Sequence, residues 1–134
     1  MNAHYGAPHN SAAPNRITGG SSSGSASLLA AGAVDIATGS DTGGSVRAPA
    51  SYCGLIGLRT THGAIALDHT MTLAESFDVF GWFARDAETY EKVGHVLLDN
   101  DPSTEPLTKL FHIDALDEMV LGELEAGILV EGRG

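Results

Sequence analysis

The sequence predicts an α/β fold, and three observations support that prediction. Short apolar runs that favour strands alternate with segments that favour helices, in the order α-β-(α)-β-β-α-β-α. Turns rich in Gly and Ser separate these segments. The chain has 134 residues, of which 43% are hydrophobic and 18% charged, a composition typical of a globular protein with a core of its own. This length predicts at most one domain.

The first half of the chain begins with a loop and continues with short elements. Residues 1–18 have no usable period and predict an extended loop. Ser23–Ala31 is rich in small, helix-tolerant residues, and Gly32 is placed to end that helix. Val34–Thr38 alternates apolar and polar residues, as a short strand does. The next segments predict a turn, a short helix and a strand with close contacts at Gly54 and Gly57, over Gly39–Gly44, Ser45–Ser51 and Cys53–Thr60.

The second half begins with a loop over residues 62–76 and an aromatic strand over Phe77–Phe83. Asp86 is predicted to cap a helix whose apolar face comprises Tyr90, Val93, Val96 and Leu97. A polar linker over Asp99–Pro106 precedes a strand and an acidic helix, predicted over Leu107–Ile113 and Asp114–Leu124.

The charge of the chain excludes some partners. The formal net charge is -10, which argues against nucleic acid or an anionic membrane surface as a partner. The single cysteine, Cys53, has no internal disulfide partner, and no apolar run suggests a membrane span or a signal peptide. We therefore expect a cytoplasmic protein. The six histidines show no metal-ligand spacing, so we expect no metal site.

Two Gly/Ser turns, Gly19–Ala26 and Gly39–Arg47, are the chemically distinctive part of the sequence. Such turns can place two hydroxyls beside bare backbone N–H groups, an arrangement that suits acyl transfer by a serine. Both turns imitate a P-loop but lack its lysine, and the second lacks the final Gly of a nucleophile elbow. A role as a turn residue that makes local hydrogen bonds would explain any one of these serines, but it does not explain the whole pattern.

The turns read GGSSSGSA and GSDTGGSVRAPASYCGLIGLR, and they resemble the amidase signature of serine amidases that use a Ser–Ser–Lys triad. The resemblance covers about Gly19–Thr61, with weaker likeness in NAHYGAP, SFDVFGWFARD and VGHVLL that is most similar to indole-acetamide-type amidases. It implies a mixed β-sheet covered by helices on both faces, no cofactor, and hydrolysis of a carboxylic amide to acid and ammonia. Because such proteins are usually several times longer, residues 1–134 are expected to be a central fragment of an amidase domain, without the lysine-bearing segment and the C-terminal part.

The resemblance implies a role for each matching residue. Ser45 corresponds to the nucleophile, and Ser21 to the bridging serine that follows a cis peptide bond. The oxyanion hole would consist of the backbone N–H groups of Thr42, Gly43, Gly44 and Ser45.

Other matching residues are expected to support the site. Asp41 and Arg47 would pair and brace the turn, while Ser22 and Ser23 could hydrogen-bond the lysine. Cys53 is expected to be a small buried packing residue rather than a reactive thiol.

The chain also departs from the family pattern. Its two lysines are Lys92, in the predicted surface helix, and Lys109, beyond the linker, and neither has the expected context of the triad base. Thr60 stands where the family commonly has proline, which is expected to loosen a turn.

Two functions follow from these matches and departures. One is an amidase, present as a fragment or as one piece of a split enzyme, that binds a small-molecule amide and is inactive alone. The other is a catalytically dead remnant or a non-enzymatic binding module that keeps the pocket. Possible protein partners are the remainder of an amidase domain or a second copy of the chain.

Overall fold

A computed structural model describes residues 3–98 of the chain. The chain divides into two units, Met1–Asp101 and Pro102–Gly134, where the sequence predicts one domain. The division falls within the predicted polar linker. Both elements predicted after that linker, and Lys109, lie outside the described residues.

The described strands form a three-stranded sheet in the order β1-β3-β2. The strands are β1 (Ala37–Asp41), β2 (Ile56–Arg59) and β3 (Val79–Ala84). Both pairs are antiparallel, so the described residues contain no parallel pair of the mixed sheet implied by the resemblance. Together with three helices, the sheet confirms the α/β class.

Strand β1 lies three residues later than the predicted Val34–Thr38. Gly39 pairs with Gly81 and Asp41 with Val79, so half of the predicted turn belongs to the strand. The predicted position of this strand was wrong because the hydrogen bonds of a sheet join backbone groups, whereas the sequence pattern reflects only the polarity of the side chains. Strands β2 and β3 agree with their predicted segments, apart from one added residue at the end of β3.

The helices are α1 (Ser23–Ala30), α2 (Arg47–Tyr52) and α3 (Ala87–Leu97). As predicted, Gly32 follows α1 with a positive φ of 73°, a conformation that glycine adopts without strain. Asp86 is the N-cap of α3, and its side chain accepts a hydrogen bond from the Thr89 N–H. Among residues 3–98, no helix has the length and apolar character needed to cross a membrane.

Strand β3 packs against helices on both of its faces. Phe83 belongs to the core formed with α1, α2 and neighbouring residues, which comprises Ala26, Leu29, Val46, Ala50, Cys53 and Phe83. The next side chain along, Trp82, points the other way and meets Tyr90 of α3 with ring centroids 5.5 Å apart. Cys53 is buried and its thiol is free, so the packing role predicted for it is confirmed.

The face of α3 differs from the prediction at one position. A side chain at Gly94 would lie 3.5 Å from Trp82, so Tyr90 and Gly94 define the face toward the sheet. Val96 is 82% exposed because it lies on another side of the helix.

Two strand glycines allow the segments with the Gly/Ser turns to approach the sheet closely. A Cβ at Gly57 would lie 2.4 Å from the Cβ of Ala50 in α2, and a Cβ at Gly39 would lie 2.3 Å from the Ser22 hydroxyl. The close contact predicted at Gly57 is confirmed. At Gly54 there is no such contact, and glycine instead allows a φ of 65° after α2.

Candidate active site

The two Gly/Ser turns meet in the structure. The Ser22 N–H donates a hydrogen bond of 3.2 Å to the backbone oxygen of Ser45. Ser21 and Ser45 line the same cavity, which has a volume of about 360 Å³. The peptide bond between Gly20 and Ser21 is cis, as the resemblance implies. The structure thus brings the two predicted serines to one site.

The cavity has a polar and an apolar side. Its polar residues include Ser21, Ser40, Thr42, Ser45 and Asp78. The cavity lining also includes residues of the 67–74 segment, hereafter the wall loop, which contributes Leu67, Thr70, Met71 and Leu73.

Asp41 organises the turn that carries Ser45. Its carboxylate is completely buried and accepts hydrogen bonds from the N–H groups of Gly44 at 2.8 Å, Val46 at 3.1 Å and Arg47 at 3.2 Å. Burial alone would raise the pKa of Asp41. The hydrogen bonds from Arg47, Val46 and Gly44 outweigh that effect and hold this pKa well below its usual value. Asp41 is therefore ionised at neutral pH.

Two arginines surround Asp41. Arg47 donates from Nε at 3.1 Å and from Nη2 at 3.0 Å, which is the pair implied by the resemblance. The hydrogen bond to Asp41 raises the pKa of Arg47. Arg59 reaches Asp41 Oδ1 from Nη1 at 3.3 Å, and its Nη2 donates to the backbone oxygen of Phe77 at 2.8 Å. No role for Arg59 was predicted from the sequence, although this residue lies in the segment GSDTGGSVRAPASYCGLIGLR.

The predicted oxyanion donors differ in availability. The Gly44 N–H already donates to Asp41, so this donor is engaged within the protein. In the described part of the chain, the N–H groups of Thr42, Gly43 and Ser45 have no acceptor. Three of the four predicted donors therefore make no hydrogen bond within the described residues.

Asp78 is a second buried carboxylate, and sequence reasoning did not predict a role for it. Its Oδ1 accepts a hydrogen bond from the Thr42 hydroxyl, and its Oδ2 accepts from the N–H groups of Leu73 at 2.8 Å and Ala74 at 3.0 Å. The Thr42 hydrogen bond is the main cause that lowers the pKa of Asp78. The available signal was the lone acid within the otherwise apolar FDVFGWF segment.

Ser22 and Ser23 occupy different positions. Ser22 is the N-cap of α1, although its side chain makes no capping bond, and its hydroxyl lies against Gly39. Ser23 lines a second cavity of about 510 Å³, which Ser21 also lines. Ser21 therefore borders both cavities.

The described lysine, Lys92, lies in α3, the helix that the sequence predicts to be at the surface. It is 71% exposed and pairs with Glu88 at 2.7 Å, and it lines neither cavity. Thr60 is buried, and its hydroxyl donates to the Phe80 oxygen at 2.7 Å, which ties down the turn expected to be loose. Among residues 3–98, no group of three His, Cys, Asp or Glu side chains could hold a metal ion.

Comparison with known protein families shows which family the chain belongs to. A model of the family described as Amidase matches residues 1–131. This chain belongs to the amidase family. The amidase signature predicted from the two Gly/Ser turns is thereby confirmed, and amide hydrolysis is the general activity of the family.

Individual relatives support the same relationship. Amidase 1 from Arabidopsis thaliana is 58% identical over 97 residues, which are 72% of this chain and 23% of that protein. "Translocon at the outer membrane of chloroplasts 64" from Pisum sativum is 48% identical over 97 residues, which are 72% of this chain and 16% of that protein.

A solved structure described as a vestigial protein complex, which reveals the origins of an s-triazine catabolic enzyme, matches with a TM-score of 0.69 and 40% identity. The match covers 75% of this chain and 22% of that one. The amidase chain thus spans less than a quarter of the length of each of these three relatives.

Proposed function

We propose that this chain carries the nucleophile and the oxyanion donors of a serine amidase that hydrolyses a carboxylic amide to acid and ammonia. The observation that carries the proposal is the convergence of Ser21 and Ser45 on one cavity. A hydrogen bond between the two turns, from Ser22 to Ser45, fixes this arrangement. Membership of the amidase family supports amide hydrolysis in general.

In the proposed reaction, the Ser45 hydroxyl oxygen attacks the amide carbonyl carbon. The Ser45 proton passes to the Ser21 hydroxyl, which gives its own proton to a general base. The tetrahedral intermediate then collapses, the C–N bond breaks, and the leaving nitrogen receives the proton and departs as ammonia. Water hydrolyses the acyl-Ser45 ester, which releases the acid and restores the serine.

The carbonyl oxygen becomes negative in the tetrahedral intermediate and needs hydrogen-bond donors. The N–H groups of Thr42, Gly43 and Ser45 are proposed to supply them, since they have no acceptor in the described part of the chain. Removing one such donor from a hydrolase lowers the rate by about 10²–10³. Asp41 keeps the turn in shape by holding the neighbouring N–H groups.

The general base of the family resembled here is a lysine, and we propose that it is not Lys92. That side chain is largely exposed and pairs with Glu88. We therefore expect weak turnover of aryl-acetamides by the 134-residue chain alone, because a serine without its base loses most of its reactivity. Robust turnover that is lost in Lys92→Met but retained in Glu88→Gln would overturn this assignment.

Labelling with a fluorophosphonate probe tests the nucleophile directly. Because the chain lacks its proposed base, the labelling uses excess probe and long incubation. We expect mass spectrometry to find a slowly formed adduct on Ser45, and Ser45→Ala to abolish it. Ser40→Ala is the matched control, because Ser40 lines the same cavity but is not the proposed nucleophile. An adduct on any other residue would contradict the proposal.

A binding module without catalysis is the second candidate. The pea relative, which is named as a translocon rather than as an enzyme, favours it. Calorimetry with simple amides distinguishes the two functions. Amide binding that Ser45→Ala leaves unchanged, together with no labelling of Ser45, would support the binding module.

We also propose a cytoplasmic location and a protein partner, either the remainder of an amidase domain or a second copy. The buried free thiol of Cys53 fits a reducing compartment. The structural relative described as a protein complex supports a partner. Cell fractionation tests the location, and an organellar pool would contradict it. Light scattering of the purified chain, alone and mixed with the remainder of an amidase domain, tests the partner, and a persistent monomer in both samples would contradict it.

A further inference from the structure

Asp78 lies between the turn that carries the proposed oxyanion donors and the wall loop. The residue is 5% exposed and lines the cavity that Ser45 also lines. One carboxylate oxygen binds the Thr42 hydroxyl and the other binds the N–H groups of Leu73 and Ala74. A single buried group therefore contacts both sides of the cavity.

The wall loop depends on these contacts. In the described part of the chain, every hydrogen bond between the wall loop and the residues outside it runs to Phe77 or Asp78. Its bonds from Thr70 to Leu67 are internal. Packing contributes little, because Leu73 is 82% exposed and Met71 is fully exposed. The position of the apolar wall is thus set by hydrogen bonds, chiefly those of the Asp78 carboxylate.

The contact between Asp78 and Thr42, hereafter the link, is also made by specific hydrogen bonds. The Thr42 hydroxyl donates to Asp78, while its backbone oxygen lies 3.4 Å from Nη1 of Arg59. Arg59 also binds Asp41 and the backbone oxygen of Phe77, the residue before Asp78. A change at Asp78 would therefore be felt at the Thr42 N–H as well as at the wall loop.

We propose that Asp78 is a positioning residue that fixes the position of the Thr42 turn relative to the wall loop, and thereby sets selectivity for the acyl group. This inference rests on the proposed function, in which the acyl group of the amide lies between Ser45 and the wall loop. The apolar side chains of Leu67, Met71 and Leu73 suit an uncharged, apolar acyl group. Asp78 acts through its neighbours and takes no part in bond making.

The test compares Asp78→Asn with Asp68→Asn in the full chain. Asp68 is an exposed acid in the same loop, so the second variant makes the same chemical change without touching the link. The rate of Ser45 labelling is measured with a short-chain and a long-chain alkyl fluorophosphonate. We expect Asp78→Asn to reduce the preference for the long chain by about tenfold, the scale of a lost apolar contact, and Asp68→Asn to leave it unchanged.

Hydrogen exchange gives a readout that does not require catalysis. In Asp78→Asn the amides of Leu73 and Ala74 should exchange roughly tenfold to hundredfold faster, because each loses a hydrogen bond to a charged acceptor. Faster exchange with unchanged chain-length preference would overturn the selectivity role. Unchanged exchange would overturn the positioning role altogether.

Variants of Thr42 keep the inference testable if Asp78→Asn fails to fold. Thr42→Val removes the hydroxyl and should slow labelling by both probes, whereas Thr42→Ser should restore the rate. Equal rates in all three proteins would overturn the link. If the unmodified chain is not labelled even after long incubation with excess probe, the proposed nucleophile fails, and calorimetric binding of long and short alkyl amides then tests the wall loop by itself. An unchanged long-to-short ratio in Asp78→Asn would contradict the inference there too.

Discussion

Asp41 and Arg47 are joined by two side-chain hydrogen bonds, of 3.1 Å and 3.0 Å, that close the turn containing Ser45. The Asp41 carboxylate is buried while the Arg47 side chain is half exposed, so the carboxylate depends on its partners more than the guanidinium does. Because three backbone N–H groups also bind Asp41, the pair shapes the backbone that presents Ser45.

Asp41→Ala should strongly destabilise the fold. The substitution leaves buried N–H groups without their acceptor and removes the carboxylate partner of Arg47 and Arg59, and breaking such a buried pair costs roughly 3–5 kcal/mol. Urea unfolding monitored by Trp82 fluorescence measures the change. Asp35→Ala is the matched control, because Asp35 pairs with Arg85 but is almost fully exposed, and it should cost less than about 1 kcal/mol. Equal effects of the two variants would contradict the central role of Asp41.

The contribution of Asp41 should depend on pH with a defined sign. Its pKa is lower in the folded protein than the value near 3.9 expected in the unfolded chain. The stabilisation is therefore complete above about pH 4, declines as the pH falls below that, and is lost once the pH passes below the folded pKa. The unfolding free energies of the parent chain and Asp41→Asn, compared from pH 7 to pH 2, should converge toward the acid end. A constant difference across this range would contradict the assignment.

Much of the site could be predicted from the sequence because it lies in contiguous motifs. Ser21 and Ser45 each belong to a short Gly/Ser turn, and their meeting in one cavity is what the motif implies. Asp78 could not be predicted, because its importance arises from contacts across 36 residues to Thr42. Nor could the engagement of the Gly44 N–H be predicted, since it depends on the orientation of a buried side chain.

The fold shows the same division between local pattern and tertiary contact. Helix α3 has a capping aspartate and a clear apolar period, so its existence and start were predictable. Strand β1 was misplaced because Gly39, Ser40 and Asp41 have turn-like side chains but pair with β3. Tertiary pairing overrode local propensity at that point.

Asp86→Ala should weaken α3 without affecting the site. The Asp86 carboxylate accepts the Thr89 N–H at 2.7 Å, and losing such a cap costs about 1 kcal/mol. Thermal unfolding measures the loss, and Ser45 labelling should be unchanged. Glu91→Ala, which alters an exposed acid on the same helix, should have a smaller effect on stability. A larger loss in Glu91→Ala would indicate that capping does not control this helix.

Gly57→Ala should destabilise the contact between β2 and α2. The new methyl group would lie 2.4 Å from the Ala50 Cβ, a separation that forces the helix or the strand to move. Overpacking of this kind costs about 1–3 kcal/mol. The double variant Gly57→Ala with Ala50→Gly should recover part of the loss, because it removes the methyl group that clashes.

Gly24→Ala is the matched control for this prediction. This glycine lies in α1 with nothing within 4 Å of its added Cβ, so the change should stabilise the fold by roughly 0.5–1 kcal/mol. Urea unfolding of the parent chain and the three variants measures these changes in stability. A Gly57→Ala variant as stable as the parent would show that α2 and β2 lie farther apart in solution.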